Sequence, residues 1–270
     1  MSEREAVERV EEPVTVASIT EDLEALGVRV GDTLLVHSSL SALGWVCGGA
    51  PAVVDALQAA LTESGTLVMP THSSDYTDPG DWAEPPIPES WHERVRETMP
   101  PYRPEVTPTR GMGRVPECFR TYPETVRSAH PAVSFAAWGH DAESVVADHS
   151  LEERFGERSP LARVFDLEGS ILLLGVGYET NTSLHLAEVR APSVAGTDRD
   201  GGPVLVDGER VWVEYESTRG STDDFAALGA AFERECAEAV TVGTVGAATA
   251  RLIDQRALVD FAVEWFETNR

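Results

Sequence analysis

A histidine and a glutamate near the middle of the chain have the spacing of a general base and its partner. His185 and Glu188 are three residues apart, so they share one face of a helix if that helix begins near Thr182. A carboxylate beside an imidazole orients the ring and raises its basicity. The pair therefore predicts a base that can remove a proton from an amine or a hydroxyl group.

The residues before this pair predict the element that positions it. Ile171 to Leu174 is an unbroken apolar run, which is typical of a buried strand. The glycines of Gly175-Val176-Gly177 suit a tight exit from the strand, and the polar residues from Thr180 to Ser183 suit the start of a helix. Strand, loop and helix in this order would place the base at a strand end.

A second group of polar residues follows two other predicted strands. Thr33 to His37 and Thr66 to Met69 are predicted strands, separated by a helix from Ala50 to Leu61. This β-α-β order favours parallel strands, whose carboxyl ends meet at one sheet edge where ligands bind. His37, Thr71 and His72 should lie at that edge; for His72, a structural role and a role in the site remain equally open.

Several other chemistries are disfavoured. His37, His72, His185 and Glu188 could supply metal ligands, but an HExxH motif is missing and no second carboxylate stands at a fixed spacing, so no catalytic metal is expected. The chain lacks a G-x-S-x-G nucleophile elbow, and Cys47 has no charged neighbour to activate its thiol. Direct attack by one bound substrate on another fits better than covalent catalysis.

Composition limits the class of protein. The 270 residues are 42% hydrophobic and show no composition shift, which predicts one domain over 1–270. The charged N-terminus lacks a signal peptide and no run could span a bilayer, so a cytoplasmic protein with three free cysteines is expected. A net charge of -25 disfavours nucleic acid and membranes as partners. Either an acidic cleft that attracts a polycation or selection for solubility, including in high salt, would explain this charge.

The remaining elements complete a mixed α/β fold. Residues 18 to 26 predict a helix capped by Ser18 or Thr20, and helices are expected over 223–238 and 259–267. Asp207-Gly208 between β-branched runs predicts a C-terminal hairpin. The Pro-rich residues 73–109 predict a lid or substrate-binding excursion. The expected fold is a three-layer α/β/α sandwich with a mixed, largely parallel central sheet.

Six segments in order resemble the aminoglycoside 3-N-acetyltransferase family. They are VHSSLSALGWVCGG, PTHSSDYTDP, TPTRGMGRVPECFR, HPAVSFAAWG, ERSPL and LLLGVGYETNTSLHLAE. The resemblance extends from about Ser18 to Phe266. It implies an α/β/α fold that is not that of the GNAT acetyltransferases, and transfer of an acetyl group from acetyl-CoA to the 3-amino group of 2-deoxystreptamine antibiotics, which gives antibiotic resistance.

The same resemblance implies a sequential mechanism without an acyl-enzyme. His185 matches the family's catalytic histidine, Glu188 would orient it, and His37 would assist. Thr71 and backbone N–H groups of the Ser38-Ser39 loop would donate hydrogen bonds to the thioester oxygen as the tetrahedral intermediate forms. Members of the family also acetylate other amines, so a non-antibiotic amine remains an alternative acceptor, and a non-catalytic coenzyme A binding protein remains an alternative class.

Binding residues follow from the same comparison of motifs. The expected coenzyme A contacts are Ser38, Ser39, Leu40, Arg110, Gly111, Met112, Gly113 and Arg114, although the two arginines could equally be solvated surface residues. The expected partners of the acceptor's ammonium groups are Asp75, Asp78, Asp81 and Glu84, for which a solvated acidic loop is the alternative. No cofactor other than acetyl-CoA as cosubstrate is expected, and a homodimer remains open.

Overall fold

The computed structural model describes residues 3–83, 85–191 and 196–270. Its helices are α1 (Glu3–Glu8), α2 (Val16–Leu26), α3 (Ala50–Leu61), α4 (Glu89–Thr98), α5 (Arg114–Phe119), α6 (Ala142–Val146), α7 (Pro160–Asp166), α8 (Ser183–Arg190), α9 (Phe225–Glu235) and α10 (Gln255–Asn269). Its strands are β1 (Thr33–Ser38), β2 (Thr66–Pro70), β3 (Val126–Arg127), β4 (Phe135–Gly139), β5 (Ser170–Leu174), β6 (Thr197–Val206), β7 (Glu209–Thr218), β8 (Val240–Val245) and β9 (Ala248–Asp254). Within these described ranges, no helix is both long and apolar enough to cross a membrane.

A seven-stranded mixed sheet forms the centre, with the strand order β3-β4-β2-β1-β5-β9-β8. β1 pairs in parallel with β2 and with β5. The pairs β2 with β4, β3 with β4, β5 with β9 and β8 with β9 are antiparallel. The predicted mixed sheet is therefore confirmed. The expectation that most of the sheet is parallel is wrong, because parallel pairing is limited to the three middle strands.

Helices cover both faces of this sheet and enclose two apolar cores. Side chains of successive strand residues point to opposite faces, so Leu34 and Val36 of β1 enter one core while Leu35 enters the other. The first core lies under α2, α3 and α5, and the second lies under α6 to α10. The three-layer α/β/α arrangement predicted from the sequence is confirmed.

The first long helix begins earlier than its sequence suggests. Thr15, not Ser18 or Thr20, caps α2. Its side-chain oxygen accepts a hydrogen bond from the Ser18 N–H group, and the Ser18 hydroxyl oxygen accepts one from the Thr15 N–H group. This reciprocal pair is a capping box with serine in the third position, where glutamate is the usual signal. The predicted buried face of Ile19, Leu23 and Leu26 is confirmed.

The Pro-rich excursion over 73–109 lies against a two-stranded β-hairpin. β6 and β7 pair antiparallel around the predicted Asp207-Gly208 turn, where both residues have the positive φ that such a turn requires. The Tyr102 N–H group donates to the Pro203 carbonyl at 2.8 Å, and Arg210 Nε donates to the Met99 carbonyl at 2.7 Å. These bonds join the excursion to the hairpin, so the two form one wall beside the sheet.

Candidate active site

The predicted strand, loop and helix around His185 are all present. β5 ends at Leu174, and α8 begins at Ser183. Nδ1 of His185 and Oε2 of Glu188 are 2.5 Å apart, as their spacing on one helix face requires. Because a carboxylate only accepts, Nδ1 of His185 is the donor in this contact. The pair is hereafter called the dyad.

Aromatic rings and a glycine fix the position of the imidazole. Phe155 stacks on His185 with ring centroids 4.8 Å apart and planes 14° from parallel, and Phe225 packs at 5.0 Å. Gly220 lies so close that a Cβ atom there would be 2.8 Å from Nδ1 of His185. The His185 side chain keeps 16% of its surface exposed, so the ring is held firmly but is still accessible.

Glu188 is a buried charge whose two oxygens are both bound. Its side chain is 1% exposed; Oε2 accepts from His185, and Oε1 accepts the Ser221 N–H bond at 3.0 Å and a hydrogen bond from Arg270. Burial alone would raise the pKa of Glu188, but the hydrogen bond and charge of His185, the Ser221 N–H group and Arg270 together hold that pKa below its usual value. Glu188 is therefore ionised at neutral pH.

A cleft of about 960 Å³ opens beside the carboxyl end of β1. The coenzyme A residues predicted from the sequence line it with one exception: Ser38, Ser39, Leu40, Gly111, Met112, Gly113 and Arg114 face the cleft. Arg110 does not line it and instead pairs with Asp75 at 2.8 Å. The loop over 38–40 and the turn over 111–113, more than 70 residues apart in the chain, thus line the same cleft. Arg114 adds a guanidinium group to it.

Two further imidazoles lie between this cleft and the dyad. His37 and His72 line the cleft, and Nε2 of His37 is 3.4 Å from the Thr182 hydroxyl. Burial, reinforced by the charge of His185, lowers the pKa of both rings to about 3, so both are neutral at pH 7. His185 itself lines a much smaller pocket of about 10 Å³, together with Phe155 and other residues. Phe155, which stacks on His185, also packs against His72 with ring centroids 5.7 Å apart, so the two pockets are neighbours.

The hydrogen-bond donors of the cleft differ from those expected. Thr71 is fully buried; its hydroxyl donates to the Ser134 carbonyl at 3.2 Å and accepts from Arg127 at 3.1 Å. The Ser39 N–H group donates to the Leu174 carbonyl at 2.9 Å. The Thr71 hydroxyl and the Ser39 N–H group thus already donate to carbonyl groups of the protein, which is unfavourable for their expected role as donors to the thioester oxygen.

Two other polar atoms at the cleft have no such partner. The Ser38 hydroxyl and Nε2 of His72 are buried and make no hydrogen bond to the residues that the structure describes. Both side chains line the cleft. A buried polar atom without a partner is costly, and a bound ligand that satisfies it recovers that free energy.

The predicted acceptor residues are placed unequally. Asp75 is ion-paired with Arg110, and Asp78 binds Arg96 through both carboxylate oxygens. For Asp81, burial raises the pKa most and nearby carboxylates raise it further, while the charge of Arg96 lowers it. The nearby carboxylates that raise it are Asp200, Asp78 and Asp198. Glu84 lies outside the described residues.

Sequence reasoning missed some residues that contact the dyad. Arg270 and the Ser221 N–H group bind Glu188 from segments distant along the chain, and no local pattern signals them. Phe155 could have been suspected, because it is the one aromatic residue in the loop ERFGERSPL. Across the described ranges, no three side chains of metal-binding type are grouped so that they could hold an ion.

Sheet, cleft and dyad together define an α/β enzyme in which an imidazole paired with a buried carboxylate stands near a cleft of about 960 Å³. Comparison with known proteins gives the particular family. Residues 35–267 match the aminoglycoside 3-N-acetyltransferase family. The chain is 47% identical over 267 residues to the SPbeta prophage-derived aminoglycoside N(3')-acetyltransferase-like protein YokD of Bacillus subtilis (strain 168). This alignment covers 98% of the present chain and 97% of YokD. It is 38% identical over 285 residues to aminoglycoside N(3)-acetyltransferase VII of Streptomyces paromomycinus, covering 99% and 96%.

Solved structures give the same answer. The crystal structure of YokD from Bacillus subtilis superposes with a TM-score of 0.95 at 46% identity, covering 98% of each chain. AAC-VIa bound to sisomicin gives 0.85 at 32% identity, covering 96% of this chain and 99% of the other. AAC-IIIb in a binary complex with CoASH gives 0.83 at 31% identity, covering 95% and 97%. The chain belongs to the aminoglycoside 3-N-acetyltransferase family and is an acyltransferase.

Proposed function

We propose that the protein transfers the acetyl group of acetyl-CoA to the 3-amino group of a 2-deoxystreptamine aminoglycoside, with His185 as general base. The observation that carries this proposal is the dyad: an imidazole oriented by a buried carboxylate through Nδ1, so that Nε2 would accept the proton. Relatives named as aminoglycoside N(3)-acetyltransferases support the choice of reaction. A cytoplasmic location, where acetyl-CoA is available, belongs to the same proposal.

The reaction needs no covalent enzyme intermediate. The amine nitrogen of the acceptor attacks the thioester carbonyl carbon, and its proton passes to Nε2 of His185. Collapse of the tetrahedral intermediate then forms the amide and breaks the C–S bond, and coenzyme A leaves as the thiolate or takes the proton from the imidazolium. Glu188 stabilises the transient imidazolium because its negative charge lies 2.5 Å from Nδ1.

The developing charge on the thioester oxygen requires donors, and two atoms of the cleft wall fit this need better than Thr71. The Ser38 hydroxyl and Nε2 of His72 are buried without partners, and both side chains face the cleft. His72 stays neutral at pH 7, so it can donate from Nε2 without adding a like charge beside His185. Loss of one such donor typically costs about 3 kcal/mol of transition-state stabilisation.

Acetyl-CoA would occupy the cleft of about 960 Å³. The loop over 38–40 and the turn over 111–113 would contact its pantetheine and phosphates, and Arg114 would pair with a phosphate. AAC-IIIb, solved with CoASH, shares this fold at 31% identity. His37 would help to close the inner end of the cleft next to His185 rather than transfer a proton, because burial keeps its pKa at about 3.

The acceptor would bind between the Pro-rich excursion and the β6-β7 hairpin. Asp81 lies there among acidic neighbours that raise its pKa, so an ammonium group at this place relieves carboxylate repulsion. Asp75 and Asp78 would contribute less, because Arg110 and Arg96 already neutralise them. AAC-VIa, solved with sisomicin, is a structural neighbour at 32% identity.

A thiol-release assay with acetyl-CoA and a panel of aminoglycosides tests the proposal. We expect His185→Ala to lower turnover at least about 100-fold, as loss of a general base should, while coenzyme A affinity measured by calorimetry changes little. His140→Ala serves as the matched control, since His140 is exposed and lies outside the site. Near-normal turnover in the His185 variant would refute the assignment.

The panel separates the proposal from its alternatives. Acetylation only of other amines would keep the chemistry and change the acceptor. Binding of coenzyme A without thiol release for any amine would indicate a non-catalytic protein. Mass spectrometry of the acetylated aminoglycoside, followed by assignment of the modified nitrogen by NMR, decides whether the 3-amino group is the target.

A further inference from the structure

Arg270, which follows α10, makes the contact that completes the charge balance of the dyad. Its Nη1 donates to Oε1 of Glu188, the oxygen that His185 does not bind. The Arg270 side chain is only 17% exposed, and its guanidinium lies 4.0 Å from the ring centroid of Phe266. Arg270 is therefore a largely buried cation that faces a buried carboxylate.

The other donors of Arg270 are also bound, which fixes its orientation. Nε donates to Oδ2 of Asp224 at 2.7 Å, and Nη2 donates to Oδ1 of Asp224 at 2.5 Å and to the Ser221 carbonyl at 2.9 Å. The Ser221 N–H group donates a hydrogen bond to Oε1 of Glu188. Arg270 thus ties the loop at Ser221 and the start of α9 to the catalytic helix α8.

We propose that Arg270 is a positioning residue of the dyad, which fixes Glu188 against His185 and sets the pH at which His185 becomes a competent base. The idea that His185 acts as a base rests on the proposed function. The electrostatic part does not, because it concerns only the protonation of His185.

The direction of the effect follows from charge. A cation near the imidazole disfavours the imidazolium, so removal of the Arg270 charge should make the dyad take up its proton at higher pH. The charged and titratable groups around the dyad are Glu188, His37, His72, Arg154, Arg219, Asp224 and Arg270. Of the three arginines, Arg270 is hydrogen-bonded to the carboxylate that binds the ring, so its loss should shift the protonation of the dyad more than loss of Arg154 or Arg219.

The test compares Arg270→Gln and Arg270→Lys with Arg256→Gln. Arg256 is a matched control because it lies in α10, the helix that Arg270 follows, packs over the Phe165 ring and pairs with Glu168, an exposed carboxylate outside the dyad. For each variant, kcat and KM are measured against pH, and the ring of His185 is titrated by NMR without substrates. His185→Ala identifies the signal.

We expect the acid limb of kcat/KM and the NMR titration of His185 in Arg270→Gln to move up by about one pH unit. At the pH optimum, kcat should fall about 10-fold while KM for acetyl-CoA changes less than about twofold, because the dyad is misplaced and the cleft is intact. Arg270→Lys should restore the pH limb and part of kcat, and Arg256→Gln should match the wild type.

An unchanged titration of His185 in Arg270→Gln would overturn the inference. If that variant does not fold, Arg270→Lys decides: one ammonium group cannot bind Glu188, Asp224 and the Ser221 carbonyl together, so kcat should still fall at least about threefold, and a wild-type kcat would overturn the inference. Failure of the proposed function looks different, since the wild type would then show no acetyl transfer while the His185 titration still moved with Arg270.

Discussion

Gly220 gives a sharp test of how closely the dyad must be held. Its φ angle is not in the left-handed region, so alanine is allowed there by the backbone. A Cβ atom at this position would nevertheless lie 2.8 Å from Nδ1 of His185 and 2.9 Å from Oε2 of Glu188. Gly220→Ala would therefore push directly on the hydrogen bond between the two side chains.

The size of the effect follows from these distances. Ordinary contacts of a Cβ atom begin at 3.4 Å, so the dyad must shift by about half an ångström to accommodate the methyl group. Since a misplacement of about 1 Å can lower a rate about 100-fold, half that distance should lower kcat about 10-fold. The crowding should also reduce the free energy of unfolding by about 1–3 kcal/mol.

Steady-state thiol release and urea unfolding measure the two effects. Gly196→Ala is the control: the Gly196 carbonyl accepts the Arg219 N–H bond near the same loop, but among the described residues the nearest atom to its Cβ would be Cβ of Arg219, at 3.9 Å. This control should keep kcat and change stability by less than about 0.5 kcal/mol. A wild-type kcat in Gly220→Ala would show that the loop yields instead of the dyad, and the argument for tight positioning would then be wrong.

Two further predictions concern charge. Acceptor KM should rise with salt more steeply than KM for acetyl-CoA, because exposed charge pairs are screened over about 8 Å at physiological ionic strength; equal salt dependence of the two would remove the electrostatic argument. In acid, an unfolded histidine takes up a proton below its ordinary pKa of 6.5, whereas His37 stays neutral in the fold down to about 3. The free energy of unfolding should therefore fall by about 1.4 kcal/mol per pH unit for this ring as pH drops through that window. Urea unfolding from pH 7 to 4 should show a shallower slope for His37→Gln, and parallel slopes would contradict the burial argument.

The elements that position the site were predictable because their signals are local. β1, β2 and β5 each contain an unbroken apolar run, which is typical of strands buried on both faces of a sheet. The spacing of His185 and Glu188 is likewise a local property of one helix turn. Sequence periodicity thus led directly to the parallel centre of the sheet and to the dyad.

The remainder depends on contacts between distant segments. Neither β8 nor β9 contains more than two consecutive apolar residues, so they gain their structure from pairing with each other, and β9 also from pairing with β5. Thr71 lies at the predicted edge, but its hydroxyl oxygen accepts a hydrogen bond from Arg127, whereas His72 lines the cleft. Successive side chains along a strand point in opposite directions. The sequence therefore predicted which residues lie at the sheet edge, but not which of their side chains face the cleft.

The arrangement of arginines explains how an acidic chain can hold a buried carboxylate at the site. Arg270 neutralises Glu188 inside the protein, where an unpaired charge would be costly. On the outer wall, Arg96 and Arg219 are paired with Asp78 and Asp198, so these pairs carry little net charge. Burial, and after it the carboxylates of Asp200, Asp78 and Asp198, raise the pKa of Asp81, while Arg96 lowers it. Under the proposed function, an ammonium group of the acceptor would add positive charge to this wall, whereas the dyad already has the cation of Arg270.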